Sequence, residues 1–262
     1  MVFDLAIYLK RIGLGSEPSL DLAGLTQLHN AQFKAIPFEN LDIQLGRSIQ
    51  LDPESLWRKL VLQRRGGYCF ELNGLLLLAL RALGFEARPF LARVHLEDPP
   101  SGRTHQLNAV NLDAETLLVD AGFGAGGPRF PMLLADGWQR KEGHFGFRIR
   151  RQDPYGWLMQ SWTGEWKDSY SFDEGWVTPQ DIEVANFFTS HSPMSHFTQM
   201  RTVSRPLDTG RISLRNQTFT EIQGDQQDVR EIPDSETLDL LRTRFAIDLD
   251  TPFAAFKPIQ SD

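Results

Sequence analysis

Apolar residues in the first third of the chain recur at helical spacing. Leu5, Tyr8, Leu9 and Ile12 fall on one face of a short helix that Gly13 ends. A second helix begins at Asp21, whose carboxylate suits an N-cap, carries Leu25, Leu28 and Phe33, and stops before Pro37. Asp52-Pro53 opens a third, with proline at the first helical position and Leu56, Trp57, Leu60 and Val61 as its apolar stripe. Leu72, Leu75, Leu76, Ala79, Leu80 and Leu83 mark a fourth, closed by Gly84. Four helices with short connections predict a bundle over residues 1–85.

After Gly84 the period changes. Residues 85–95, 104–112, 116–120, 144–151 and 155–162 are short, rich in β-branched or aromatic side chains, and separated by Pro-Pro-Ser-Gly, Asp-Ala-Glu and Asp-Pro-Tyr-Gly turns. They predict a β unit over residues 86–185, with barrel and sandwich both open. The remainder, 186–262, is mixed. Residues 180–189 are predicted helical at the junction, 198–223 form a small antiparallel sheet, and Asp234–Phe245 is a last helix with Leu238, Leu241 and Phe245 on one face. The class is therefore α+β.

Composition narrows the functions this fold can serve. Twenty-seven basic against 34 acidic residues leave a formal charge of −7, which argues against a general nucleic-acid binder. The longest uninterrupted apolar run, residues 75–80, is too short to cross a bilayer, so no membrane association is expected. The opening Met-Val-Phe-Asp-Leu lacks a secretory pattern and the single cysteine fits a reducing compartment; a soluble cytoplasmic protein is expected. No HExxH and no cysteine pair is present, so no metal is expected.

That single cysteine carries the candidate chemistry. Cys69 follows Arg65-Gly66-Gly67-Tyr68 and falls in the first turn of the fourth predicted helix. Unpaired amide N–H groups and the positive end of the helix dipole favour a thiolate there and could hold an oxyanion. Gly66 and Gly67 are expected to leave room for a substrate beside the backbone. A small, inert, buried thiol is the competing reading of the same residue.

A nucleophilic thiol needs a base and a group to orient that base. Of six histidines, His105 stands in a strand followed by a return strand ending at Asp120. A turn centred between Asp113 and Ala114 sets His105 opposite Gly122 and Leu107 opposite Asp120. His105 and Asp120 then share a face as diagonal neighbours, about 7–8 Å apart at the backbone. A slip of one residue would put them on opposite faces. His29, on the second helix, and His196, expected in a loop, have no such partner. After Asp120 a glycine-rich loop, Ala121-Gly122-Phe123-Gly124-Ala125-Gly126-Gly127, lets backbone approach a bulky ligand, with Phe123 as a flat contact. It matches neither phosphate-binding fingerprint.

These residues, taken together, resemble the arylamine N-acetyltransferase family. The likeness rests on ordered motifs: Ile36-Pro37-Phe38-Glu39-Asn40-Leu41, Arg65-Gly66-Gly67-Tyr68-Cys69, Thr104-His105, Val119-Asp120-Ala121-Gly122-Phe123-Gly124, and Asn186-Phe187-Phe188-Thr189-Ser190 with Ser192-Pro193. His191 stands where the pattern has a small polar residue. The first 195 residues carry nearly all of the specificity.

The resemblance implies an N-terminal helical bundle, a central β-barrel and a C-terminal α/β lid around a cysteine-protease-like core. It implies a Cys69–His105–Asp120 triad, an ion pair between Glu39 and Arg65 that steadies the thiol helix, and Phe38, Phe123 and Gly124 as substrate contacts. It further implies acetyl-CoA as acetyl donor, an aromatic amine or hydrazine as acceptor, and an acetyl-cysteine intermediate in a ping-pong cycle. A family amide synthase with another acyl donor would share this triad. A thiol hydrolase and a ligand-binding protein with a silent triad are more distant alternatives.

Overall fold

The computed structural model describes residues 3–258. The helical part comprises α1 (Leu5–Arg11), α2 (Leu22–Ala35), α3 (Leu41–Gln44), α4 (Pro53–Leu56) and α5 (Cys69–Leu83). Asp4, Asp21 and Asp52 cap α1, α2 and α4 by accepting N–H groups from the following turn, as their side chains suit. Gly84, in the left-handed region, closes α5. The helix expected from Asp52-Pro53 keeps an α-helical pitch for one turn only. Residues Trp57–Leu62 widen into a π-helix, which keeps Trp57, Leu60 and Val61 buried. Tyr8, Leu28, Leu60, Leu75 and Leu80 of these helices share one core with Val110 and Val119 from the adjoining sheet.

That sheet is antiparallel with eight strands in the order β5-β4-β3-β2-β9-β8-β7-β6. Its strands are β2 (Glu86–Val94), β3 (Arg103–Leu112), β4 (Glu115–Val119), β5 (Met132–Leu133), β6 (Gln139–Glu142), β7 (Phe145–Gln152), β8 (Gly156–Trp162) and β9 (Trp166–Phe172). Met132 near one edge and Phe147 and Ile149 near the other bury into a single core with Phe90, Leu107 and Trp157. The sheet is thus curled into a nearly closed, barrel-like form rather than a sandwich. The β3–β4 turn has Asp113 and Ala114 both at positive φ, and pairs Leu112 with Glu115 through Asn108 with Val119. That is the register expected from the sequence.

Helices α6 (Pro179–His191) and α7 (His196–Gln199) lead into a second antiparallel sheet. Its strands are β10 (Thr202–Pro206), β11 (Gly210–Arg215), β12 (Thr218–Gln223) and β13 (Gln226–Glu231), backed by α8 (Asp234–Phe245) through Val203, Ile212, Phe219, Leu241 and Phe245. His196 is not in a loop as expected: it opens α7 and lies 3.4 Å from Glu97. The far edge is a surprise of topology. Strand β1 (Phe38–Glu39), from the helical part, pairs with β10, Phe38 opposite Ser204.

The same two residues fix the segment before the thiol. Glu39 N–H donates to the Gly67 carbonyl at 2.9 Å, and Gly67 N–H donates to the Pro37 carbonyl at 3.3 Å. The Arg65 guanidinium donates to Glu39 Oε1 at 2.7 Å and faces Asp42 at 3.4 Å; Lys59 bridges Asp42 and Glu71 at 2.7 Å each. Burial works against the Asp42 carboxylate, but Lys59 and Arg65 outweigh it and hold its pKa at about 2. For Glu71 burial wins over Lys59, and its pKa is raised. Arg65→Leu would strand the fully buried Glu39 carboxylate. Such a broken pair costs about 3–5 kcal/mol, and a fall of that size in the free energy from urea unfolding is expected. An unchanged midpoint would mean the network contributes nothing to folding.

Candidate active site

Cys69 starts α5, His105 lies on β3, and Asp120 directly follows β4, so three elements converge on one point. All three side chains are almost wholly buried: Cys69 and His105 are 3% exposed and Asp120 is 0% exposed. His105 Nε2 is 2.8 Å from Asp120 Oδ2. Its other ring nitrogen is left to meet Cys69, a contact that helps to hold the proton on the ring. The thiol also points to the Thr104 carbonyl, with Sγ 3.8 Å from the oxygen. Burial by itself would lower the pKa of His105. The Asp120 carboxylate and the Cys69 contact overcome that and push it up to about 10. Asp120 moves the opposite way: burial would raise it, and His105, Asn73 and the Gly122 N–H together lower it.

The sign of this shift sets a testable pH range. The folded state keeps the His105 proton more tightly than the unfolded chain, whose imidazole has the ordinary value near 6.5. Its contribution to stability is therefore full below about pH 6.5 and is lost as pH rises towards 10. Nitrogen NMR of the folded protein is expected to show His105 doubly protonated throughout pH 6–9. A ring that titrates near 6.5 would contradict this account of the pair.

Asn73 was not anticipated from the sequence. One helical turn after Cys69, and wholly buried, it donates from Nδ2 to Asp120 Oδ1 at 2.9 Å and to the Gln106 carbonyl at 2.6 Å. Its Oδ1 accepts the Ala121 N–H at 3.0 Å. With Gly122 N–H also on Asp120 Oδ1 at 2.9 Å, one carboxylate oxygen is fully engaged and the other is left to His105. The i, i+4 spacing from Cys69 was the signal that could have found it. Asn73→Leu is expected to slow turnover about 10- to 100-fold, the equivalent of about 1.5–3 kcal/mol for a lost charge-assisted bond. Unaltered turnover would mean Asp120 needs no such support.

The glycines act differently from one another. A Cβ on Gly66 would lie 2.3 Å from the Pro37 carbonyl oxygen, and one on Gly67 would lie 2.8 Å from the Glu71 carboxylate. The expectation that this pair opens space for a substrate is therefore corrected: it lets the loop pack against β1 and α5. Gly122 is the close approach to the first turn of α5, since a Cβ there would lie 2.5 Å from Asn73 Nδ2 and 2.9 Å from Cys69 Cα. Gly124, at φ +69°, sits against Ser204 and Phe38.

Aromatic rings wall the site on two sides. Phe123 lies edge-on to His105, with ring centroids 5.0 Å apart, and both contact Tyr170. Phe38 packs against Phe197 at 5.9 Å, and Phe197 in turn against Tyr68. Tyr170 and Phe197 join Phe38 and Phe123 only in three dimensions. A separate cavity of about 600 Å³ lies behind α5, lined in part by Phe70, Leu77, Gln106, Trp176 and Ile182. None of Cys69, His105 and Asp120 lines it. Among the described residues no group of histidine, cysteine and carboxylate side chains is placed to hold a metal ion. No described helix is long and apolar enough to cross a membrane.

A family model described as N-acetyltransferase matches residues 21–254. The arylamine N-acetyltransferase / N-hydroxyarylamine O-acetyltransferase of Salmonella typhimurium is 40% identical over 229 residues, covering 85% of this chain and 81% of the relative. The chain belongs to the arylamine N-acetyltransferase family. It is accordingly an acyltransferase, and its fold is that of solved members. The M. smegmatis arylamine N-acetyltransferase superposes with a TM-score of 0.92 at 33% identity, covering 99% of this chain and all of that one. The Mycobacterium marinum enzyme, solved in complex with CoA, gives 0.87 at 31% identity over 93% of both chains.

Proposed function

We propose that this enzyme moves an acetyl group from acetyl-CoA to the nitrogen of an arylamine or arylhydrazine, by way of an acetyl-cysteine at Cys69. The observation that carries the reading is the buried line from Cys69 through His105 to Asp120, with the 2.8 Å His–Asp bond at its end, in a chain of this family.

The thiolate of Cys69 forms a bond to the thioester carbonyl carbon. The oxyanion faces the start of α5, where Glu71 already occupies the Tyr68 N–H and the next amides remain for it. As the carbon–sulfur bond to CoA breaks, His105 gives its proton to the departing thiolate. Now neutral, His105 takes the proton of the amine that attacks the acetyl-cysteine. The Cys69 thiolate leaves, and the starting ion pair is restored. Asp120 holds the imidazole in orientation and stays ionised throughout. Phe38 and Phe123 offer flat apolar contacts suited to an uncharged aromatic amine, with Gly124 beside them.

In this reading residues 1–85 supply the nucleophile, 86–185 the base and its carboxylate, and 186–262 a lid that keeps water from the acyl-enzyme. The arrangement is cysteine-protease-like in its division of labour. The test is steady-state kinetics with both substrates varied. Parallel double-reciprocal lines, with thiol release from acetyl-CoA sustained only when an arylamine is present, are expected. Intersecting lines, or release of acetate at the same rate without amine, would overturn the proposal.

A further inference from the structure

The cavity behind α5 draws its lining from three elements of the fold. Phe70 and Leu77 come from α5, Gln106 from β3, and Ile182 and Asn186 from α6, with the exposed indole of Trp176 beside them. Its volume of about 600 Å³ falls within the range of small-molecule sites, about 300–1,000 Å³. Strand alternation separates it from the triad: His105 turns to Tyr170 in the barrel core, so Gln106 turns to the other face, towards α5.

Gln106 is 1% exposed, and among the described residues none hydrogen-bonds to its side-chain amide; the bond from Asn73 falls on its backbone carbonyl. A buried amide costs free energy until it is paired. It presents a donor and an acceptor side by side, and its complement is a primary carboxamide or lactam that does the same. The charged side chains around the cavity select no ion. Two are cations, Arg81 and Arg88, and two are carboxylates, Asp52 and Glu183. Arg81 Nε donates to the Ala87 carbonyl at 3.1 Å, and both Arg88 Nη atoms donate to the Glu174 carbonyl at 3.3 and 3.4 Å. Asp52 accepts the N–H groups of Glu54 and Ser55.

The inner lining adjoins the catalytic residues. Phe70 follows Cys69, Gln106 follows His105, and Asn186 Oδ1 accepts the hydroxyl of Tyr68 while its Nδ2 donates to the Ile49 carbonyl at 3.2 Å. The His105–Asp120 bond is already aligned at 2.8 Å, so an occupant that displaces these neighbours works against turnover. We propose that this cavity is a second small-molecule site, which takes an uncharged aromatic lactam or primary carboxamide on the Gln106 amide and lowers turnover without entering the substrate site. Binding there is independent of the acetyl-transfer reading; the effect on turnover rests on it.

The probe is 2-quinolone, with 1-methyl-2-quinolone, which lacks the donor, and quinoline-2-carboxylate, which carries a charge, as controls. Calorimetric titration is made on wild type, on wild type alkylated at Cys69 with iodoacetamide, on Gln106→Leu and on Ile182→Trp. One 2-quinolone per chain is expected to bind free and alkylated enzyme alike. Gln106→Leu, and separately the 1-methyl probe, should weaken binding about tenfold, the scale of one buried hydrogen bond. Ile182→Trp should fill the cavity and remove binding while the enzyme keeps its turnover. In steady-state assays with acetyl-CoA and one arylamine, saturating 2-quinolone should lower kcat about 2- to 10-fold with both KM values unchanged. No saturable binding at about 1 mM overturns the proposal, and so does full affinity in both variants. Loss of binding on alkylation, or a raised KM at constant kcat, would put the probe in the substrate site and overturn it too. Tighter binding of the carboxylate would refute the uncharged class, and a bound probe with unchanged kcat would refute the effect on turnover. A wild type that fails at acetyl transfer would strike at the donor reading, while the titration still decides the site.

Discussion

Cys69→Ser is expected to reduce acetyl transfer by about 10⁴- to 10⁶-fold, the range in which loss of a nucleophile leaves only the binding and oxyanion contributions of a site. The substitution is small in volume and the position is buried, so folding should survive it. What changes is the proton. The thiol can pass its proton to His105, whose pKa of about 10 reflects a ring already favoured in its charged form by Asp120. A serine hydroxyl holds its proton far more tightly and stays neutral beside that imidazolium, leaving no anionic nucleophile and no free base. Thermal unfolding and circular dichroism matching the wild type, together with a lost rate for every acceptor, is the expected pattern. A Cys69→Ser enzyme within about tenfold of the wild-type rate would remove the thiol from the mechanism.

Asp120→Asn should have the next largest effect, a loss of about 10⁴-fold in kcat, as when the orienting carboxylate of such a triad becomes an amide. Two causes act together. Asparagine presenting its N–H to His105 Nε2 dictates the opposite ring tautomer, and the buried imidazolium loses its negative partner. Asn73 Nδ2 and the Gly122 N–H both donate to Asp120 Oδ1, so the new amide must turn its own oxygen to them and its NH₂ towards His105. That geometry selects the wrong tautomer. The same variant should lower the His105 pKa, since burial then acts with little to oppose it. A correctly folded Asp120→Asn enzyme with full activity would show that the His–Asp bond is structural.

Both predictions depend on residues that the sequence made legible, and the reason is local. The α5 stripe from Leu72 to Leu83 has a clear helical period, so its first turn could be placed on the only cysteine. The β3–β4 register followed from a two-residue turn, and the structure pairs the strands about the same centre. Elements defined by partners far along the chain were not legible. Strands β1 and β5 have two residues each, too few for a period, and β1 exists because β10 pairs with it. Strand β6 is exposed throughout and carries no apolar alternation. The π-helical stretch at Trp57–Leu62 has an ordinary helical spacing of apolar residues, so nothing in the sequence separates it from α4. The charge network shows the same division. Glu39 and Arg65 were named through a family likeness, whereas the links through Asp42, Lys59 and Glu71 to the Tyr68 N–H needed coordinates. Asn73 lies between these cases: its helical spacing from the thiol is present in the sequence, whereas its bonds to Asp120, Gln106 and Ala121 exist only in three dimensions.

The central claim is a covalent acetyl group on Cys69, and intact-protein mass spectrometry tests it most directly. The purified enzyme mixed with acetyl-CoA and no amine is expected to gain one acetyl mass, mapped by peptide sequencing to Cys69 and discharged on adding an arylamine. An unmodified protein that nevertheless acetylates the amine, or an acetyl group located elsewhere and discharged at the turnover rate, would contradict it.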